Sequence, residues 1–476
     1  MNRNTDNNLQ TEIDSLLQTI TEYVINPPLL SPLAYQTARY CLMDAIGCAL
    51  LALQYPACYK LLGPIVPNTL VPNGSRVIGT SFELDPILAA FNIGALIRWL
   101  DFNDTWLAAE WAHPSDNLGG ILAVADFIHR NQKRVSIHDV LTAMIKAYEI
   151  QGILALENSF NRMGLDHVIL VKVATAAVVT HLLGGSRKEI IAVLSHAFID
   201  GHPLRTYRHA PNTGSRKSWA AGDATSRAVQ LAWWVMRGEM GYMSPLTAKK
   251  WGFNDVLFDG QALKLARPLQ SYVMENILFK IAFPAEFHAQ TAIECAIALH
   301  PTIKNHLQDI QEIIMTTQEP AIRIISKVGP LHNPADRDHC LQYMVAAALL
   351  FGDLKAEYYE EDIAKDPRID LLREKMVIIE NKTFSQDYLN PEKRSISNAI
   401  QIIFKSGKTT ETIQIEYPLG HKKRREEGIP LLFKKFSHNL SAIFPEQRIE
   451  EYILLFKNEK KLDEMSVSDF ITLFLI

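Results

Sequence analysis

Between residues 98 and 120 the chain reads RWLDFNDTWLAAEWAHPSDNLGG, and side chains able to move protons crowd together there. Asp101, Asp104 and Thr105 stand at i, i+3 and i+4, so a helix through them would show all three on one face. His113 directly precedes Pro114, and the residue before a proline is driven out of helical geometry. The helix is therefore predicted to stop near Trp111 and leave His113 in a loop, ahead of the helix-starting residues Ser115, Asp116 and Asn117. An acidic face beside a loop histidine, with Trp106 and Trp111 between them, suits general acid–base chemistry. The same pattern also serves as an N-capping segment with solvated aspartates, and spacing does not separate the two.

Cationic groups gather in two further places. GHPLRTYRHAPNTGSRKSW brings His202, Arg205, Arg208, His209, Arg216 and Lys217 into one Gly-, Pro- and Asn-containing loop. Such a loop suits a small polyanion such as a di- or tricarboxylate, or it is simply solvated. FKIAFPAEFHAQ places Lys280, Glu286 and His288 around Pro284, where aromatic neighbours would shift their pKa values. His167 stands at the mouth of an apolar helix, and Tyr343 follows Asp338-His339 on a helix rich in Ala and Leu. The basic run HKKRR at 421–425 reads as a solvated face.

The elements that must hold these groups are helical up to about residue 277. Pro86 opens a helix predicted over 85–108, Ser136-x-x-Asp139 is a capping box, and Gly184-Gly185 stops the helix over 172–183. After Pro284 the pattern changes. Short β-rich runs at 312–316 and 376–380 precede a hairpin, 399–404 and 410–417, turned by Lys405-Ser406-Gly407-Lys408. A helix over 336–351 lies among them, and 431–476 is helical again. The expected architecture is mainly α: a large all-helical domain (1–277), a smaller inserted α+β lid domain (278–428), and C-terminal helices (429–476) rejoining the first. The cleft between two such domains is the default ligand site.

With 476 residues, 48% hydrophobic and 21% charged, and a net charge of -4, the chain reads as an ordinary soluble protein of two or three domains. That balance argues against a nucleic-acid or anionic-membrane binder. The polar start MNRNTDNNLQTEIDSL has no apolar leader core, and the longest apolar runs are broken by Asp44 and Lys172. Five widely spaced cysteines, Cys41, Cys48, Cys58, Cys295 and Cys340, fit a reducing cytoplasm and a core role. Neither CxxC nor HExxH occurs, so no metal site is expected.

Taken together, the DFNDTW…HPSDNLGG, GSRKSWAAGDA and RDHCLQYMVA blocks resemble the MmgE/PrpD family, along essentially the whole chain, and most closely its iron–sulfur-independent 2-methylcitrate dehydratases. The resemblance implies an all-helical domain with an α+β lid, a homodimer, no cofactor and a small tricarboxylate substrate. It places catalytic roles on Asp101, His113, Lys217, Lys280 and Tyr343. Substrate binding falls on Thr105, His167, Arg216, His288 and Asp104, with DHV at 166–168 where relatives carry FHPT. Glu286 rivals His288 at the junction position.

Dehydrating a citrate-like acid means removing a weakly acidic proton next to a carboxylate and expelling hydroxide, which calls for a base, cations and an acid. Aconitase-type enzymes assign the second task to iron; here side chains are expected to do it, with His113 moving the proton beside Asp101. Within the same family the rival reactions are decarboxylation of cis-aconitate and epimerisation of a small dicarboxylate. A non-catalytic helical interaction protein is the reading from another class.

Overall fold

The computed structural model describes residues 12–209 and 211–476. The polar segment 1–11, where the absence of a leader was read, lies outside the described residues. Helices dominate, and several begin where the sequence supplies a cap. Asp85 accepts from the backbone N–H of Ile87 and Leu88 at 3.0 and 3.1 Å and starts Pro86–Arg98. Ser136 and Asp139 close the expected capping box of Ile137–Glu157. Val168–Leu182 is largely apolar and buried as far as Thr180, and Gly184 follows it with φ 89°.

Two helices bring the site's cations together. Pro86–Arg98 ends in Arg98, Arg216–Met236 begins with Lys217 in its first turn, and the pair cross where Gly94 faces Gly222. A Cβ on Gly222 would lie 2.7 Å from the Phe91 carbonyl and 2.8 Å from the Ala95 nitrogen, so the crossing is backbone against backbone.

The later part of the chain forms a four-stranded sheet in the order Met376–Glu380, Ile310–Thr317, Asn398–Phe404, Ile413–Ile415. The first pair is parallel and the others antiparallel. The expected hairpin is present, with Gly407 at φ 82°, though its second strand is shorter than 410–417. Gln290–Ile303 and Leu341–Phe351 pack beside each other, the first directly on this sheet.

Two large apolar cores result, beside a small cluster of Val168, Val171, Tyr207, Ala220 and Ala221. One joins the N-terminal helices to the last ones, from Leu432 to Phe474. The other fills the space between the sheet and its helices. A small hairpin, Trp106–Leu107 with Trp111–Ala112, links them: Trp106 pairs with Ala112 and Leu107 with Trp111. Successive side chains of a strand point to opposite faces. Trp106 and Ala112 therefore enter the first core, and Leu107 and Trp111 the second.

Two sequence expectations change here. The helix expected over 85–108 ends at Arg98, because Asp101 adopts φ 49°, a left-handed turn no helix accommodates. Asp101, Asp104 and Thr105 consequently share no helical face. The helix expected over 336–351 is broken between Pro334–Arg337 and Leu341–Phe351, with Cys340 extended, so Asp338 and His339 occupy the break. The cysteines are free and buried, and among the described residues no helix is long and apolar enough to cross a membrane.

Replacing Gly222 by Ala should lower the free energy of unfolding by about 1–3 kcal/mol, the usual cost of overpacking, because the opposing atoms are backbone. Urea denaturation followed by circular dichroism measures it; an unchanged midpoint would refute the tight crossing.

Candidate active site

The loop after Arg98 folds back on its own helix. The left-handed turn at Asp101 returns its carboxylate to Arg98, whose Nη1 lies 2.6 Å from Oδ1. Lys280 reaches the same oxygen from the segment ahead of Gln290–Ile303 and also donates to the Asp101 carbonyl at 2.8 Å. All three side chains are buried. Burial alone would raise the Asp101 pKa, but Arg98, Lys280 and Lys217 hold it well below the usual carboxylate value.

His113 sits against this cluster with its tautomer settled by its neighbours. Its Nε2 is 3.0 Å from Arg98 Nη2, and a guanidinium can only donate, so Nε2 accepts. Nδ1 carries the proton and donates to the Asp104 carbonyl at 2.8 Å, with the Thr105 hydroxyl 3.2 Å away. Asp101 is 3.8 Å from Nε2, so the Asp104 carbonyl rather than the Asp101 carboxylate orients the ring. Burial first, then Arg98 and Lys280, holds the imidazole pKa well below 6.5. His113 is thus a neutral base with its lone pair covered by Arg98. His167 packs 5.6 Å from it, centroid to centroid, and neither of its ring nitrogens has a protein hydrogen-bond partner.

The break in the second domain's helix supplies the opposite wall. Lys217 Nζ is 2.6 Å from Asp338 Oδ2, and His339 Nδ1 is 2.8 Å from Asp338 Oδ1. His339 Nε2 then comes within 3.9 Å of Asp101 Oδ2, closing the chain of charges. Burial, then Lys217, lowers the His339 pKa to about 4. Next to this row Glu286 and His288 form a pair, Oε1 to Nδ1 at 2.8 Å, and His288 Nε2 is 3.1 Å from the Tyr388 hydroxyl. The two residues left as rivals in the sequence are partners. A cavity of about 370 Å³ adjoins the cluster, bordered by Trp99, Leu100, Ser218, Pro284, Asp338 and Tyr359.

Three expected residues face elsewhere. Asp104 accepts from Tyr148 Oη at 2.5 Å and from Ser115 N and Oγ at 3.1 and 2.9 Å, so its carboxylate is spent on holding the loop. Arg216 is half-exposed, paired with Asp223 at 2.8 Å and stacked on Trp219. The Tyr343 hydroxyl donates to the Tyr358 carbonyl at 2.6 Å, and Arg337, Asp370, Arg373 and Glu361 are the charges around it. The basic loop is not solvated at its centre either: buried Arg205 and Arg208 both turn to Asp166. The HKKRR run is a solvated face only in part. His421 is buried, Arg424 pairs with Glu294, and Arg425 donates to the Ile277 carbonyl at 2.6 Å.

Sequence reasoning missed Arg98, Asp338, His339 and Lys435. Arg98 stands three residues before Asp101, the spacing of an ion pair, and was legible. Lys435 carried no signal, yet its buried ammonium donates to the carbonyls of Phe102 and Lys280, both at 2.7 Å, and pairs with Asp44 at 2.6 Å. Among the described residues, no three His, Cys, Asp or Glu side chains are grouped to hold a metal.

Residues 18–266 match the MmgE/PrpD N-terminal domain and residues 283–458 the MmgE/PrpD C-terminal domain. The chain belongs to the MmgE/PrpD family. Among its relatives, the 2-methylcitrate dehydratase of Escherichia coli K12 is 57% identical, covering 99% of both chains. That of Cupriavidus necator is 56% identical over the full length of both. The mitochondrial 2-methylcitrate dehydratase of Yarrowia lipolytica is 55% identical over 98% of this chain and 91% of its own. The boundary between the two MmgE/PrpD matches falls at 267–282, the segment that carries Lys280.

A buried neutral base fixes the sign of one pH effect. The acid limb of kcat/KM should lie below pH 6.5, because His113 binds a proton only there, and Arg98→Gln should move that limb upward by removing a nearby cation. Rate profiles from pH 4 to 8 test this; a limb in the variant at or below the wild-type position would contradict it.

Proposed function

We propose that this chain is a 2-methylcitrate dehydratase, eliminating water from 2-methylcitrate to give 2-methyl-cis-aconitate. The reading is carried by the meeting of a neutral imidazole with a guanidinium and a buried ammonium on Asp101 and a second buried ammonium on Asp338. It occurs in a chain that aligns along nearly its whole length with enzymes of that name.

In this reading a substrate carboxylate engages Arg98 and draws it from His113, which uncovers the Nε2 lone pair. His113 then takes the proton from the carbon next to a carboxylate. Arg98 and Lys280 absorb the charge that builds there, the electrostatic term that usually dominates such steps. Lys217 gives a proton to the departing hydroxyl as the C–O bond breaks, so water leaves. Burial weakens its hold on that proton, and Asp338 with His339 provides the route for restoring it. Thr105, His167 and the Glu286–His288 pair border the substrate. The chemistry runs on side chains without a metal. The chain is read as cytoplasmic, in keeping with five free cysteines, and as a homodimer, in keeping with the exposed apolar side chains Ile199, Trp234, Met240 and Tyr242.

His113→Ala should reduce kcat by about 10²–10⁴-fold, the range for losing one general acid–base group. Proton NMR of 2-methylcitrate turnover reads this directly, and a variant with near-wild-type rate would remove His113 from the mechanism. The same assay with a chelator should proceed at an unchanged rate; inhibition would overturn the metal-free reading. Carbon dioxide release from cis-aconitate, with 2-methylcitrate left intact, would mark a decarboxylase instead.

A further inference from the structure

Tyr359 ends the short helix Ala356–Tyr359 and is held firmly in every part but one. Its ring lies 6.0 Å from that of Tyr343, its carbonyl accepts from Arg337 Nη1 at 2.7 Å, and it is 4% exposed. The hydroxyl, by contrast, is buried and has no hydrogen-bond partner in the protein. An unpaired buried hydroxyl is costly, and apart from Tyr207 the other buried tyrosines among the described residues avoid it. Tyr148 donates to Asp104, Tyr343 to the Tyr358 carbonyl, and Tyr388 pairs with His288.

The residue borders the cavity beside the charged cluster, together with Trp99, Ser218, Pro284 and Asp338. Burial, then Asp338, Tyr343 and Asp101, holds the phenol protonated well above its usual pKa, so it offers a hydrogen and not a negative charge. Asp338 on the same wall is balanced by Lys217 at 2.6 Å, which removes its repulsion toward an incoming anion. A donor with no acceptor of its own, on a residue that borders a cavity of about 370 Å³ next to Ser218 and Asp338, is complementary to a carboxylate oxygen.

We propose that the Tyr359 hydroxyl contacts the substrate, donating a hydrogen bond to one of its carboxylates in the cavity between Pro284 and Asp338. The inference deepens the dehydratase reading and rests on it for the identity of the substrate. It also makes stability and activity move in opposite senses. Tyr359→Phe removes an unpaired buried hydroxyl and leaves the ring stack intact, so the melting temperature of the free enzyme should stay level or rise. At the same time kcat/KM for 2-methylcitrate should fall about 10–100-fold, and the affinity for tricarballylate, a tricarboxylate with no hydroxyl to lose, should fall by a similar factor in calorimetric titration. A lower melting temperature would place the hydroxyl in the folded framework and overturn the proposal. So would kcat/KM and tricarballylate affinity within twofold of wild type. Wild-type enzyme that binds tricarballylate more tightly than the variant, yet leaves 2-methylcitrate unchanged, would overturn the dehydratase reading while supporting the contact at Tyr359.

Discussion

Arg98 and Lys280, both buried, close on the single carboxylate of Asp101, and the geometry of the site hangs on that shared partner. Taking one member from a buried ion pair typically costs about 3–5 kcal/mol, because the charge left behind has neither water nor partner. Here one anion compensates cations contributed by two segments far apart in the chain. Its position determines where the guanidinium lies over His113, and so which imidazole nitrogen keeps the proton. Charge balance and tautomer are one constraint.

Backbone contacts secure that constraint from outside. Thr105 and Leu278 exchange N–H···O bonds at 2.8 and 3.0 Å, joining the Asp101 loop to the segment that carries Lys280. Lys435 grips the carbonyls of Phe102 and Lys280 from the C-terminal helices, and Arg394 donates to the Leu107 carbonyl at 2.9 Å. With the Trp106–Ala112 hairpin rooted in both cores, the loop bearing Asp101 and His113 is fastened to each domain. Precision here comes from the backbone, which leaves the side chains free to be acids and bases.

Much of this was legible in the sequence. The change from helical to mixed grammar after Pro284, the capping box at Ser136 and the glycine-turned hairpin all have local chemical causes, and the structure contains each of them. His113, Lys217 and Lys280 stood out as charged groups beside aromatic, glycine and proline residues, a pattern that left a solvated alternative open until the structure showed all three buried. What failed was periodicity around Asp101. Aspartate is tolerated in both helical and left-handed backbone, so nothing local announced the turn that ends the i, i+3, i+4 argument. The break at Asp338–Cys340 was hidden the same way, inside a run whose composition is helical. Lys435, beside Lys434 on an amphipathic helix, looks like any surface lysine until tertiary contacts bury it.

The residues of the cluster come from segments far apart in the chain: Asp101 with His113, then Lys217, Lys280 and Asp338, with Lys435 bracing them from near the end. Contacts of such long sequence separation form late, since the entropy of closing long loops must be met first. During synthesis the helical body emerges before Lys280, Asp338 and Lys435 exist to compensate Asp101 and brace its loop. A nascent chain therefore carries Asp101 and His113 without their setting, and the cluster is complete only when Lys435 and the last helices dock. Assembly of the site thereby doubles as a checkpoint on completion of the polypeptide.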